Sequence, residues 1–213
     1  MEKLNKMRNN IKFERIFEIG VYQGYSTCYF STIANNVYSF EPLKEMFPII
    51  KRNLELNKIS NVKLTNCAVS DYNGKANFYR YSIKGWSSLI QHEACDLDNV
   101  SETEVITMDK FCDEEKISHI DILSIDAEGN EINVLKGCER ILRNKSADII
   151  FFEIAKEYVS NEQISSIFDL LNTNGYKIID LEFNRVEDID NLSFQQDLVA
   201  ISPCCPYIKQ IIY

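Results

Sequence analysis

Glycine, proline and histidine are scarce in this chain: seven, four and two among 213 residues. So little glycine and proline leaves no Pro/Gly/Ser-rich linker, and no internal repeat divides the chain, so residues 1–213 read as a single domain. Two histidines and seven irregularly spaced cysteines, with no CxxC pair, exclude a zinc grid. The cysteines are Cys28, Cys67, Cys95, Cys112, Cys138, Cys204 and Cys205, several of them inside apolar patterns. That placement predicts buried, reduced thiols and a cytoplasmic setting. No apolar run reaches the ~20 residues of a membrane span, and Met1–Asn10 lacks the apolar core of a signal peptide, so no membrane is expected. Positive charge is also short: 23 Lys and Arg against 32 Asp and Glu give a net charge of −9. The nearest thing to a basic patch is Lys51-Arg52 and the scattered Arg140, Arg143 and Lys145. A surface of that sign repels phosphate backbones, which excludes nucleic acid as a partner.

What is present is an alternation of strand-like and helix-like segments. Arg15–Ile19 is an apolar run stopped by Gly20, followed by a helical stretch from Tyr25 to about Asn35. Val37–Phe40 reads as a second strand, Leu43–Leu56 as a helix and Val62–Val69 as a third strand. Lys75–Tyr81 alternates as a hairpin strand would. Ser82–Ser101, with Gly85, Trp86 and His92, reads as a long loop, and Glu104–Thr107 as a short strand before a helix at Met108–Cys112. His119–Ile125 and Asp148–Phe152 are a fourth and fifth strand, ending in Asp126 and Glu153. Amphipathic helices are expected over Asn130–Leu142 and Asn161–Leu171, and two closing strands over Tyr176–Phe183 and Asp197–Ser202. The pattern predicts an α/β fold: a mostly parallel seven-stranded sheet, one antiparallel strand and a β-hairpin insertion.

In such a sheet ligands bind beyond the carboxyl ends of the strands, where strand order reverses. Gly20-Val21-Tyr22-Gln23-Gly24 follows the first strand, a turn that opens a helix N-terminus to a ligand. Its spacing is not the Gly-x-Gly-x-x-Gly of dinucleotide enzymes. Glu41 ends the second strand 21 residues after Gly20, the place where an acid receives ribose hydroxyls. Asp126, Glu128 and Glu131 fall within six residues at the mouth of a buried strand. Glu131 suits the helix dipole and reads as a capping residue. Asp126 and Glu153 end neighbouring strands, ~4.8 Å apart in a sheet, and so are able to share one cation.

These stretches resemble the FkbM family of S-adenosylmethionine-dependent methyltransferases, over roughly Phe13 to Glu157. The resemblance rests on Phe17-Glu18-Ile19-Gly20 with Gly24, Phe40-Glu41-Pro42, Ala68-Val69-Ser70-Asp71 with Gly74, and Ser124–Glu131 followed by Val134-Leu135-Lys136-Gly137. Glu18 stands where the family more often has Asp, and Asn130 where a small residue is usual. The resemblance implies a Rossmann-like class I methyltransferase domain whose cofactor, S-adenosyl-L-methionine, meets Glu18, Gly20, Tyr22, Gly24, Tyr25, Ser26, Glu41, Pro42, Asn66, Ala68 and Asp126. It implies transfer of a methyl group to a hydroxyl of a small molecule, with a sugar or glycan as the expected acceptor.

Such a transfer must dispose of the acceptor's proton, by a general base or by a metal that lowers the hydroxyl's pKa. Asp126, Glu128, Glu153 and His92 are the candidate catalytic residues, and Asp126 with Glu153 the candidate ligands for Mg²⁺ or Mn²⁺. His119, at the start of a buried strand, reads as structural. Tyr79, Tyr81 and Trp86 are able to stack on a sugar ring or to fill a core. Two other readings remain: a non-catalytic S-adenosylmethionine-binding adapter, and a nucleotide-sugar-modifying NAD enzyme, which the glycine spacing disfavours. The short lead before the first strand suggests either an open site or a missing neighbour domain, as part of a larger multidomain chain or of a homodimer.

Overall fold

Ile16 and Phe17 are both fully buried although successive strand residues face opposite sides of a sheet, so their strand lies in the middle of the protein with both faces covered. That strand is β1 (Phe13–Ile19) of a computed structural model that describes residues 12–82, 86–92, 95–187 and 189–207. Its parallel neighbours are β2 (Ala34–Phe40), beyond which lies β3 (Val62–Thr65), and β8 (Ile120–Ile125), beyond which lies β9 (Ala147–Ala155). β11 (Gln195–Ile201) runs antiparallel between β9 and β10 (Lys177–Asp180). The order β3-β2-β1-β8-β9-β11-β10 is the expected seven-stranded sheet with one antiparallel strand. One apolar cluster contains Phe17, Phe40, Leu123 and Ile150; the other contains Ile16, Val37, Ile122 and Ile149. Successive residues of one strand thus feed two cores.

Helix α1 (Tyr25–Ile33) joins β1 to β2, and Ala34 already belongs to the strand, so the helix ends two residues before the expected Asn35. The helix expected over Leu43–Leu56 starts as a 3-10 turn, Lys44–Met46, and becomes α2 at Phe47–Leu56, with a proline in its first turn. Among the described residues no helix is long and apolar enough to cross a membrane, and all seven cysteines are free thiols.

Four local expectations are corrected. The strand expected over Val62–Val69 breaks at Asn66, whose Nδ2 donates to the carbonyls of Glu41 and Pro42 at 2.8 and 2.9 Å. Beyond that break, β4 (Ala68–Val69) joins a different sheet. The Ser82–Ser101 loop contains strand at two places: β5 (Gly74–Tyr81) pairs antiparallel with β6 (Ser87–Ser88) and with β7 (Leu97–Ile106). Gly85 and the rest of 83–85 and 93–94 lie outside the described residues. The Asn130–Leu142 helix is two helices, α4 (Glu131–Lys136) and α5 (Glu139–Arg143). A Cβ at Gly137 would lie 2.1 Å from the Ser70 carbonyl, and Asp109, in α3 (Met108–Glu114), accepts from the Arg140 and Ile141 N–H groups at the start of α5. The buried face of Ile132, Leu135, Cys138 and Leu142 survives the break. Finally, β9 runs on to Ala155 because Ala155 pairs with Gln195 of β11, so Glu153 lies inside the strand rather than at its end.

The insertion sheet, ordered β4-β7-β5-β6, stands over the carboxyl end of the main sheet. α6 (Asn161–Thr173) is capped by Ser160 and Gln163 in a reciprocal box, and among the described residues a 3-10 turn at Ile189–Asn191 is the one helical piece between β10 and β11.

Candidate active site

Strand order reverses between β1 and β8, and their register pairs Ile19 with Ile125, so Gly20 and Asp126 leave the sheet side by side. Asp126 N donates to Ile19 O at 2.9 Å, and Gly20 N donates to Phe40 O at 3.1 Å. Gly20 has φ +83°, and a Cβ there would lie 1.9 Å from the Asp126 carbonyl oxygen. Only glycine fits where three strands end together.

Beyond these ends lies a cavity of about 290 Å³. Gly20–Gln23, Tyr25 and Ser26 form one wall, Phe40–Pro42 a second, and Cys67–Val69 with Phe78, Ser87 and Leu89 a third. Asp126–Glu128 and Asn130 close it. Of the expected site residues, Gly20, Tyr22, Tyr25, Ser26, Glu41, Pro42, Ala68, Asp126 and Glu128 line it directly. Glu18, Gly24, Asn66, Glu153 and His92 stand behind the walls. Among the described residues no lysine, arginine or histidine lines the cavity, whereas three carboxylates do.

Glu41 is buried, and its carboxylate shapes the turn: Oε2 accepts from Tyr22 N at 2.8 Å and Val21 N at 3.3 Å, and Oε1 accepts from Leu43 N at 2.8 Å. Burial raises its pKa, opposed by those N–H groups. Glu18 lies one layer deeper and receives three hydroxyls, from Ser26, from Thr27 at 2.5 Å and from Ser39 at 3.0 Å. Burial pushes its pKa up to about 7, with the hydroxyl bonds opposing and Asp126 adding a little. Thr27 and Ser39 were absent from the sequence reading. The available signal was a serine inside the apolar run Val37–Phe40, which is fully buried. At Gly24 the site of the missing Cβ is 3.2 Å from Ile50 of α2, so the start of α1 packs closely on that helix.

Asp126, Glu128 and Glu153 bring carboxylate oxygens within 4.8 Å of one another. Asp126 is exposed to the solvent of the cavity, yet the protein crowded round it withholds enough water that desolvation, then Glu153 and Asp197, raise its pKa to about 6. Glu128 is raised to about 8, by burial and then by Asp126, Glu153 and Glu131. Glu153 accepts from Gln195 Nε2 at 2.6 Å. The buried Glu131 carboxylate accepts from Ala127 N at 3.1 Å and Gly129 N at 3.3 Å, so it ties down the loop before its helix rather than capping the helix, and burial raises its pKa to about 7. Oxygen-only donors of this kind suit a hard divalent cation, and equally a single carboxyl acting as base. His92 is not in the cavity; its Nε2 lies 3.1 Å from the Glu128 carbonyl oxygen. Tyr81 is buried, and Trp86 packs edge-on against Tyr158 with centroids 4.1 Å apart, so both are packing residues here.

A family model of the FkbM methyltransferase domain matches residues 18–178. No curated protein matches the chain in sequence. Among solved structures, the FkbM methyltransferase of Methylobacillus flagellatus KT aligns with a TM-score of 0.58 at 14% identity, over 89% of this chain and 43% of that one. The chain therefore spans less than half the length of that protein. A Streptococcus mutans protein described as a methyltransferase, in complex with S-adenosylhomocysteine, aligns with a TM-score of 0.52 at 9% identity, over 94% and 96% of the two chains. The precorrin-6y C5,15-methyltransferase of Geobacter metallireducens GS-15 gives 0.51 at 11% identity, over 94% and 86%. At these identities the structural likeness speaks for the fold, while the family model runs from β1 to β10 through every wall of the cavity: the chain belongs to the FkbM methyltransferase family.

Proposed function

We propose that the chain binds S-adenosylmethionine in this cavity and methylates a hydroxyl of a small molecule, a sugar or glycan. The observation that carries the reading is the sign of the walls: three carboxylates and, among the described residues, no basic side chain. A ligand with an ammonium and a sulfonium complements such a pocket, whereas the pyrophosphate of NAD is repelled by it. The one anionic group of the cofactor, its carboxylate, has a place at the N-terminus of α1, which has neither a side-chain cap nor an acid in its first turn. Glu41 Oε1 accepts from Leu43 alone among the described residues, which leaves a lone pair for a ribose hydroxyl. Cys67, Ala68, Val69 and Phe78 offer an apolar slot for the adenine, and burial keeps the Cys67 thiol inert by pushing its pKa up to about 12.

When bound, the cofactor supplies an electrophilic methyl: the acceptor oxygen bonds to it, the C–S bond breaks and its electron pair stays on sulfur. The chain's task is to align the acceptor and take its proton. Asp126 is placed to receive that proton, and a pKa near 6 leaves it ionised but still basic at neutral pH. The closeness of Asp126, Glu128 and Glu153 supports a second device, a Mg²⁺ or Mn²⁺ ion held between them that acidifies the hydroxyl. Seven free thiols fit a reducing, cytoplasmic setting.

Thermal shift tests the cofactor: S-adenosylhomocysteine should stabilise the protein and NAD should not, and stabilisation by NAD alone would overturn the reading. Glu41→Ala should weaken S-adenosylhomocysteine binding by roughly 1–3 kcal/mol in calorimetry, the value of hydrogen bonds to a charged acceptor. Exhaustive chelation decides between the two devices. Lost turnover restored by Mg²⁺ or Mn²⁺ selects the ion, and full activity selects Asp126 as a simple base.

A further inference from the structure

Glu128 and Gly129 both have left-handed backbone, φ +50° and +93°, and Glu128 is a residue type that rarely adopts it. Strain of that kind persists only where the surroundings enforce it. The enforcing contact comes from the insertion. His92 Nε2 lies 3.1 Å from the Glu128 carbonyl oxygen, and its Cε1 lies 3.2 Å from where a Gly129 Cβ would stand. A carbonyl only accepts, so the hydrogen is on Nε2. The His92 ring is fixed in turn by Tyr158, edge-on with centroids 5.0 Å apart, and by Trp86 and Tyr81 at 6.3 and 5.8 Å. Its main-chain N–H donates to the Tyr81 hydroxyl at 2.6 Å, and that hydroxyl donates to Ile90 O at 3.1 Å. Ring and backbone are thus both pinned, and the one ring nitrogen that points at the site is already bonded to the main chain.

We propose that His92 is a positioning residue: through its Nε2–H bond it holds the Glu128–Gly129 turn in its left-handed form and so sets the Asp126–Asn130 wall of the cofactor cavity. This rests on the proposed cofactor reading, because the wall it sets is a wall of that cavity. It replaces the expectation that His92 is a base. It also gives the insertion a task, since β5, the Trp86 segment and His92 together grip a loop of the main sheet.

Two variants of the full chain separate donor from ring. His92→Phe keeps an aromatic ring and loses the donor; His92→Gln loses the ring and keeps an N–H. Calorimetry with S-adenosylhomocysteine should show affinity about five- to tenfold weaker for H92F and within about twofold of the parent for H92Q. The opposite ranking would make His92 packing alone, and equal loss or no loss in both would remove the donor's part; each outcome overturns the proposal. A parent protein that does not bind S-adenosylhomocysteine overturns the cofactor reading, and this proposal with it. Nitrogen-15 NMR of the unaltered protein gives a check that no folding defect can obscure. The neutral His92 ring should carry its proton on Nε2, and an Nδ1–H tautomer would overturn the proposal by itself.

Discussion

At the amino ends of β8 and β9, His119, Asp121 and Asp148 bring ligand-type atoms within 4.8 Å of one another; towards the carboxyl ends, Asp126, Glu128 and Glu153 do the same. The residue types are alike and their use is not. Asp121 Oδ2 accepts from Glu14 N at 3.0 Å and Arg15 N at 2.8 Å, clamping the start of β1, and Asp148 faces His119 Nε2 at 3.0 Å. The Asp126 and Glu128 carboxylates, in contrast, accept no hydrogen bond from any described residue, although burial raises the pKa at both ends, of Asp148 as of Asp126 and Glu128. One end has its charge absorbed by the chain. The other holds it open to a ligand. Proximity of acids therefore does not mark a site; unanswered proximity beside a cavity does.

The sharpest way to break this contrast is Asp126→Asn. Turnover should fall by roughly 10²–10⁴-fold, the usual worth of a general base, and S-adenosylhomocysteine affinity by far less. Labelled methyl transfer into hydroxylated acceptors and calorimetry read the two effects, and a retained rate would remove the active site from this end. At the opposite end Asp121→Ala should cost roughly 1–3 kcal/mol of stability, because two strand-end N–H groups lose their acceptor, and leave cofactor affinity alone. Urea melts check it, and an unchanged midpoint would mean that water replaces the carboxylate.

The smallest effect is in pH. Glu128 at about 8, Glu18 and Glu131 at about 7 and Asp126 at about 6 all stand above their ordinary values of 4.5 for Glu and 3.8 for Asp. Folded carboxyls that hold their protons to higher pH favour the folded state when protonated. Their contribution is complete below the ordinary values and disappears as pH rises through 6 to 8. The melting temperature should fall between pH 5 and pH 9, with Glu128→Gln flattening the upper part of that fall. A melting temperature that rises over the same range would contradict the burial of these acids.

The main sheet was legible because its strands are buried on both faces and so read as unbroken apolar runs, Ile120–Ile125 above all. The strand within Ser82–Ser101 was not, because Leu97–Val100 are all exposed and carry no alternation; backbone pairing with β5 makes them a strand. Gly20, Glu41 and Asp126 were legible as residues next to strand ends. Glu153 was found as a residue and misplaced within its strand, since the partner that extends β9 lies 40 residues later at Gln195. The bond from His92 to Glu128 spans 36 residues between two irregular segments, and nothing local in sequence announces it.

The break at Asn66 decides what counts as a separable part. Ala68 and Val69 are at once a wall of the cavity and a strand of the insertion, paired with Val105 and Ile106. A graft that exchanged residues 74–106 for the insertion of another FkbM protein would therefore cut through a sheet and leave the new β7 facing a foreign β4. The modular unit begins at Asn66, not at Gly74, so a change of insertion necessarily carries part of the cofactor wall with it.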